Sequence, residues 1–307
     1  MAINAFDKKQ IQEQIRAEKD IDALLRSLAQ ELKKDINSKY RDDEQVRNLD
    51  ALVAAFAVSI TKFWDEIESV IYERSGNVAD VTIDKNKKLF LDYMKKVKKA
   101  ATPAQAKKVA AITDKAVKEF DYFKQRNENI TKARQVFDDK TIGQRIKIVK
   151  GATKKTVQNI VAVGVEKGKS AREIAKDIDG YVNPIKGNYK SPFDYYRQRF
   201  DKKTISQSVK KAGYVREGSV SYQAQRIART EINMTQREVT SRLYKKVPFV
   251  KGFNWNLSLS HPDLGCECEK LSKTNPHKAV PETPHPNCMC YVTTELIDPK
   301  TFLKTFK

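Results

Sequence analysis

Every cysteine and every histidine of this 307-residue chain lies between residues 261 and 290. The four cysteines form two Cys-x-Cys pairs, and the three histidines lie around them. Thiolates and imidazoles are the ligands that zinc prefers, usually four of them in a tetrahedron. The segment therefore predicts a structural zinc site. Its candidate ligands are Cys266, Cys268, His285, Cys288 and Cys290.

Two other interpretations of the cysteines stay open. The Cys-x-Cys spacing is shorter than the Cys-x-x-Cys spacing of common zinc fingers. Two disulfides could instead close the loop between residues 268 and 288, as in proteins that end up outside a cell. The thiols could also be reduced and simply packed. In each case five prolines make the segment irregular: Pro262, Pro276, Pro281, Pro284 and Pro286.

A helix predicted from about Ser221 to Lys246 precedes this segment. One side of it repeats small and apolar residues at steps of three and four: Ala224, Ala228, Ile232, Thr235, Val239 and Leu243. Another side carries Arg226, Arg229, Asn233 and Arg237. Because Arg229 and Glu231 are two positions apart on the helix, they cannot pair with each other. The candidate partners of Arg229 in the cysteine-rich segment are Asp263, Glu267 and Glu269.

The alternation of side chains predicts a small β-sheet beside the cysteines. Residues 249–257 (FVKGFNWNL) alternate as a strand does, and residues 291–296 (YVTTEL) can pair with them. This pairing would place Cys288 and Cys290 at the start of the second strand.

The rest of the chain is predicted to be helical. Helices are expected at about 9–36, 42–73, 84–99, 102–137, 142–166 and 170–180, with a stop at Ser75-Gly76-Asn77 and a capping box from Ser170 to Glu173. The aromatic residues Phe56 and Trp64 fall at core positions. The fold class is mainly α: an N-terminal helical bundle, then an α+β domain with a small sheet and the irregular Cys/His segment. The predicted domains are 1–139, 140–297 and a tail at 298–307.

The net charge of +20 is concentrated in the middle of the chain. Residues 141–220 hold 18 Lys and Arg against 7 Asp and Glu. Such a field attracts polyanions such as nucleic acid, although solvated helix faces have the same composition. Aromatic and basic residues mix just after residue 183, a pattern that can stack bases and hold phosphates. The candidate nucleic-acid contacts are Lys190, Arg197, Arg199, Lys202 and Lys203.

The sequence shows no targeting or membrane segment. Its longest apolar run, residues 51–60, is about half as long as a bilayer span, and the N-terminus lacks the apolar core of a signal peptide. We therefore expect assembly in a cytoplasm, where cysteines start reduced and metal binding is favoured over disulfides.

Several motifs resemble one known family. Ile227-Ala-Arg-Thr-Glu231, then Trp255, then a cluster around Asp263, and finally His285-Pro-Asn-Cys-x-Cys290 are similar in order and separation to the Mu F-like minor head proteins of tailed phages, also called head morphogenesis proteins. The resemblance covers roughly residues 141–297. It implies a structural role for the motif residues Arg229, Thr230, Glu231, Trp255 and Asp263.

The resemblance implies a function without catalysis. Family members are structural minor capsid proteins associated with the portal and with head assembly, and some bind DNA or control its release. The expected partners are a phage portal protein, other capsid or scaffolding proteins and double-stranded DNA. The expected location is the virion, at the capsid interior or portal vertex. The alternative function is a zinc-scaffolded nuclease or toxin-like enzyme that uses His285 and Asn287; a cellular nucleic-acid-binding module is a further alternative.

Overall fold

The computed structural model describes residues 5–46, 49–126, 135–136, 140–182, 219–244, 247–258, 266–282, 285, 288 and 290–306. Its helices are α1 (Ala5–Asn37), α2 (Leu49–Ala100), α3 (Pro103–Gln125), α4 (Ile142–Glu166), α5 (Ala171–Val182), α6 (Val220–Tyr244), α7 (Glu267–Lys273) and α8 (Pro299–Leu303). Its strands are β1 (Gln135–Val136), β2 (Lys140–Thr141), β3 (Val250–Asn256) and β4 (Tyr291–Leu296). The predicted fold class is confirmed: the chain is mainly helical, with a small sheet and a Cys/His cluster near its C-terminal end.

Several helices start where their capping residues predict. The backbone N–H of Glu173 donates to Ser170 Oγ at 3.3 Å, and the Ser170 N–H donates to the Glu173 carboxylate at 2.8 Å. This reciprocal pair is the predicted capping box. Thr141 and Gln144 make the same arrangement at the start of α4.

The predicted helix stop at Ser75-Gly76-Asn77 is wrong, because α2 continues through it to Ala100. A glycine inside a helix costs only about 1 kcal/mol relative to alanine. Burial outweighs that penalty here, since Ser75, Val78 and Ala79 are fully buried. The Asn77 side chain also donates to the Glu13 carboxylate at 3.0 Å.

The predicted helix at 102–137 is too long. In the structure α3 ends at Gln125, and residues 135–136 form strand β1. Only Val109 and Phe120 of α3 are buried, so tertiary contacts do little to extend this helix. Residues 127–134 and 137 of the predicted helix lie outside the described part of the chain.

Contacts divide the chain into two compact units. We call residues 14–73 and 135–228 the helical unit, and residues 1–13, 74–134 and 229–307 the cysteine unit. Each unit draws on both sides of residue 139. The predicted domains 1–139, 140–297 and 298–307 divide the sequence linearly, and they stay a prediction.

The helical unit has one apolar core, built from α1, α2, α4, α5 and the first turns of α6. The predicted core residues Phe56 and Trp64 are both buried in it. The Trp64 indole N–H donates to Thr153 Oγ1 at 3.2 Å, and the Thr153 hydroxyl lies 2.8 Å from the Val149 carbonyl. The one polar atom of the tryptophan ring is thereby satisfied inside the core.

Helices α4 and α5 approach each other closely at Gly164. A Cβ atom added there would lie 2.6 Å from Ile174 Cγ1 and 2.8 Å from Ile174 Cδ1, well inside van der Waals contact. Upstream in α4, Gly151 is exposed and a Cβ atom added there would meet no heavy atom within 4 Å. The two glycines therefore differ in packing and share the same helical backbone.

The cysteine unit has an aromatic core to which the C-terminal end of the chain contributes. Phe249 stacks on Tyr93 with ring centroids 4.6 Å apart, and it contacts Phe302 edge to face at 5.2 Å. Burial, with a smaller contribution from Asp298, raises the pKa of Tyr93 to about 12. The predicted tail at 298–307 thus contains a helix, α8, that packs into this core through Phe302 and Leu303.

The predicted pairing of the two C-terminal strands is confirmed. β3 and β4 are antiparallel, with Trp255 opposite Val292 and Asn256 opposite Tyr291, and a register shift lies between Val250 and Gly252. Within the described residues, no helix is both long and apolar enough to cross a membrane.

We predict that Gly164→Ala destabilises the protein and that Gly151→Ala stabilises it. The methyl group at 164 must displace Ile174, and overpacking of this kind costs about 1–3 kcal/mol. At 151 the same change should add about 0.5–1 kcal/mol of helix stability. Urea unfolding followed by circular dichroism measures both. Equal midpoints for the two variants would contradict the close approach of α4 and α5.

Candidate metal centre

The first pair of cysteines is positioned by the start of α7. Cys266 is the N-cap residue of this helix, and its sulfur accepts the backbone N–H of Cys268 at 3.3 Å. Cys268 lies in the first turn and is fully buried. Helix geometry at this turn therefore directs both sulfurs to the same end of α7.

The second pair is positioned by the start of β4. Cys288 and Cys290 directly precede this strand and are each 2% exposed. The backbone N–H of Ser258, just after β3, lies 3.5 Å from the Cys290 sulfur. Because β3 and β4 pair, the end of one strand and the start of the other lie together, and the second Cys pair lies beside them.

The loop after α7 ties the first pair of cysteines to the same sheet. The Asn275 side chain accepts the Trp255 N–H at 2.6 Å and donates to the Trp255 carbonyl at 2.9 Å. His277 and Phe253 exchange backbone hydrogen bonds, both at 2.8 Å. The loop thus acts as a short third strand on the free edge of β3, and α7 is held beside the sheet.

This edge contact requires a glycine. A Cβ atom at Gly252 would lie 2.7 Å from the His277 carbonyl oxygen and 2.9 Å from Pro276 Cβ. His277 Nε2 lies 2.8 Å from the Leu271 carbonyl oxygen, which can only accept, so this nitrogen carries the proton. His277 therefore serves the loop, and its Nε2 is not available to a metal.

All five predicted ligands come together. Their ligand atoms form two groups within 4.8 Å, namely Cys266 with Cys268 and His285, and Cys268 with Cys288 and Cys290. Cys268 belongs to both groups, and its sulfur lies 3.4 Å from His285 Nε2 and 3.4 Å from the Cys288 sulfur. The cluster could hold a metal ion, and the donor set suits a soft one. All four cysteines are free thiols in this structure.

The thiols differ in how readily they lose a proton. Hydrogen bonds from Cys268 and Cys290, followed by the positive charge of Arg237, hold the pKa of the Cys288 thiol well below its usual value. Hydrogen bonds with Cys288 and Cys290, together with burial, raise the pKa of Cys268. The site therefore favours negative charge at Cys288, next to the guanidinium.

Three side chains of α6 hold the segment that carries the second Cys pair. Asn233 donates to the Cys288 carbonyl. Gln236 donates to the Val292 carbonyl at 3.0 Å and faces the Val292 N–H at 3.5 Å. Arg237 donates to the Cys290 carbonyl at 2.5 Å and to the Cys288 sulfur at 3.2 Å. All three side chains are buried.

The motif residues occupy the same part of the molecule. Arg229, Thr230 and Glu231 are buried on α6, and Trp255 is buried on β3 beneath the Arg237 guanidinium, whose carbon lies 4.4 Å from the ring centroid. The contact between α6 and the cysteine segment comes from Asn233 and Arg237 of the predicted polar stripe. The sequence placed Asn233 and Arg237 on one side of this helix together with Arg229, but gave them no role in the site. Gln236 and Asn275 are site residues that the sequence did not single out.

The remaining predicted site residues lie outside the described part of the chain. These are Asp263 and the candidate nucleic-acid contacts Lys190, Arg197, Arg199, Lys202 and Lys203. Their roles stay predictions.

We predict that Cys268→Ser removes bound metal and that Cys266→Ser retains more of it. Cys268 is the thiol common to both groups, whereas Cys266 is half-buried and belongs to one. Elemental analysis of untagged protein measures the metal per chain, and Ser272→Ala on α7 is the control. Metal content in Cys268→Ser equal to that of the unmodified chain would contradict the assigned cluster.

No family model, no curated protein and no solved structure matches this chain. The resemblance to Mu F-like proteins therefore rests on the motif residues themselves. Cys268, Cys288, Cys290 and Trp255 are buried in one cluster, and Cys266 and His285 are half-buried.

Proposed function

We propose that the cluster binds one structural zinc ion. Around a tetrahedral zinc, with bonds of about 2.3 Å to sulfur and about 2.0–2.1 Å to nitrogen, two sulfurs lie roughly 3.8 Å apart and a sulfur and a nitrogen roughly 3.6 Å apart. The observed separations of Cys268 from Cys288 and from His285 are both 3.4 Å. Cys268 is thus close to the required distance from both ligands, and binding would draw together the two groups, which have only Cys268 in common.

A structural role is favoured over a catalytic one because three of the five candidate ligands are enclosed. Cys268, Cys288 and Cys290 are at most 2% exposed. A catalytic zinc keeps a coordination position for water or substrate, whereas a structural zinc is surrounded by protein ligands. When bound, the ion would cross-link α7 to the start of β4. Its ligands would be Cys268, His285 and Cys288, with either Cys290 or Cys266 as the fourth.

We infer that the protein is a non-enzymatic minor capsid protein of a tailed phage that acts in head morphogenesis at the portal. One observation carries this inference: the residues that resemble the Mu F-like family are used to hold the C-terminal fold together. Trp255 supports Arg237, and Arg237 binds the segment of the His-Pro-Asn-Cys-x-Cys motif. These contacts give Trp255 and the Cys288–Cys290 part of the motif a structural role that requires no substrate.

The proposed partners follow from the family and from the charge. A portal protein and other capsid or scaffolding proteins are the partners of a minor head protein, assembled in the host cytoplasm and carried in the virion. The basic middle of the chain is suited to packaged double-stranded DNA. In the described residues, α4, α5 and the turn between them expose Lys147, Lys155, Lys167, Arg172 and Lys176.

We predict that the protein co-purifies with portal rings when the two are expressed together from the same phage. In size-exclusion chromatography of the mixture, the protein should elute in the ring fraction, and an unrelated phage portal is the control.

The nuclease alternative is tested with plasmid DNA and Mg²⁺ or Mn²⁺. Cleavage that is lost in His285→Ala, with no binding to the portal, would replace the structural proposal with the enzymatic one.

We predict that the protein binds DNA phosphates through the exposed basic residues of α4 and α5, and that this binding weakens steeply with salt. A protein that neutralises four phosphates loses roughly 100-fold in affinity between 50 and 200 mM salt. Lys147→Ala/Lys155→Ala should reduce the slope of log K against log salt by about 2. The matched control is Lys107→Ala/Lys115→Ala, two exposed lysines at the same spacing on α3. Equal slopes for both pairs would contradict a contact through α4.

A further inference from the structure

We propose that Arg237 is the positioning residue of the zinc site: its guanidinium balances the charge of the thiolate ligands and fixes Cys288 and Cys290 in place, while Trp255 holds the guanidinium. This inference rests on the proposed zinc ion and goes beyond it, because it assigns the counter-charge of the site to one side chain on a different helix.

The guanidinium of Arg237 contacts both a cysteine sulfur and a backbone carbonyl group of the cysteine segment. Its Nη2 atom donates to the Cys288 sulfur at 3.2 Å and to the Cys290 carbonyl oxygen at 2.5 Å. The guanidinium carbon lies over the Trp255 ring, 4.4 Å from its centroid and within the range of a cation–π interaction. The guanidinium therefore reaches one ligand through its sulfur and the other through its backbone.

Charge balance explains why a cation is buried here. Three thiolates and a neutral imidazole around Zn²⁺ leave a net charge of −1, and four thiolates leave −2. A net charge in the protein interior is strongly unfavourable unless it is paired. Arg237, which is 3% exposed, supplies the opposite charge where the buried thiolates lie. With three thiolates and one histidine, the ion, its ligands and Arg237 together are neutral.

The geometry calls for arginine specifically. A lysine carries the same charge, but it has a single compact ammonium group and cannot lie flat on an indole ring while its edge donates to two acceptors. The neighbouring α6 side chains Asn233 and Gln236 hold the backbone at Cys288 and Val292, but both are neutral. Asn233 and Gln236 can therefore fix the position of the backbone, whereas Arg237 also supplies a positive charge.

Cobalt provides the test, because Co²⁺ occupies zinc sites and its thiolate-to-metal absorption reports the charge on the sulfurs. The full-length chain is loaded with Co²⁺ or Zn²⁺, and affinity is measured by competition with a chromophoric chelator. Arg237→Met should bind both ions about 10–100-fold more weakly, as is typical when an outer partner of a ligand is lost. Its absorption band should move to longer wavelength, because a sulfur without its N–H donor and cation is more easily oxidised.

The control is Arg242→Met. Arg242 lies on the same helix, and its ion pair with Glu238 is exposed. It should leave both affinity and absorption unchanged. If Arg237→Met does not fold, Arg237→Lys decides: a weaker affinity and a shifted band support the proposal. Wild-type values in either folded Arg237 variant overturn it and leave the zinc site standing. An unmodified chain that binds neither ion overturns the zinc site and this inference together.

Discussion

Side chains of α6 hydrogen-bond the backbone carbonyl groups of Cys288, Cys290 and Val292, and all three residues are buried. A buried carbonyl or N–H group without a partner costs about 1–3 kcal/mol. The donors to these three carbonyl groups are Asn233, Gln236 and Arg237, which lie within about one turn of α6. The position of the second Cys pair depends on these contacts. The donor cluster, the start of β4 and the environment of Trp255 depend in turn on that position.

This requirement explains the unusual character of α6. Its composition is polar, as for a helix on the surface, yet most of its length is buried. The polar groups are used inside the protein, where hydrogen bonds in a low-dielectric surrounding are strong and missing ones are expensive. The same helix contributes small residues such as Ala224 and Ala228 to the core of the helical unit. α6 thus packs through small side chains in its first turns and through side-chain hydrogen bonds in its later turns.

The small sheet brings together cysteines that are 20 residues apart. Cys288 and Cys290 precede β4, whereas Cys266 and Cys268 are linked to β3 by the loop at Asn275 and His277. Gly252 permits that loop to lie against the strand. A metal ion bound to the cluster would therefore join elements that the sheet has already placed side by side. This is the arrangement expected of a site that stabilises a small, irregular segment.

The sequence by itself determined several of the elements and the candidate metal ligands. Regular spacing of apolar residues predicts α1, α4, α5 and α6, alternation predicts β3 and β4, and the grouping of all thiols in one segment predicts their convergence, because each of these signals is local. The tertiary structure decided where local preferences were overruled. α2 continues through Gly76 because burial outweighs a propensity penalty of about 1 kcal/mol. Arg237 became the partner of the cysteine segment because only the folded chain sets which turn of α6 faces it, and that choice depends on hydrogen-bond partners more than 50 positions away in the sequence.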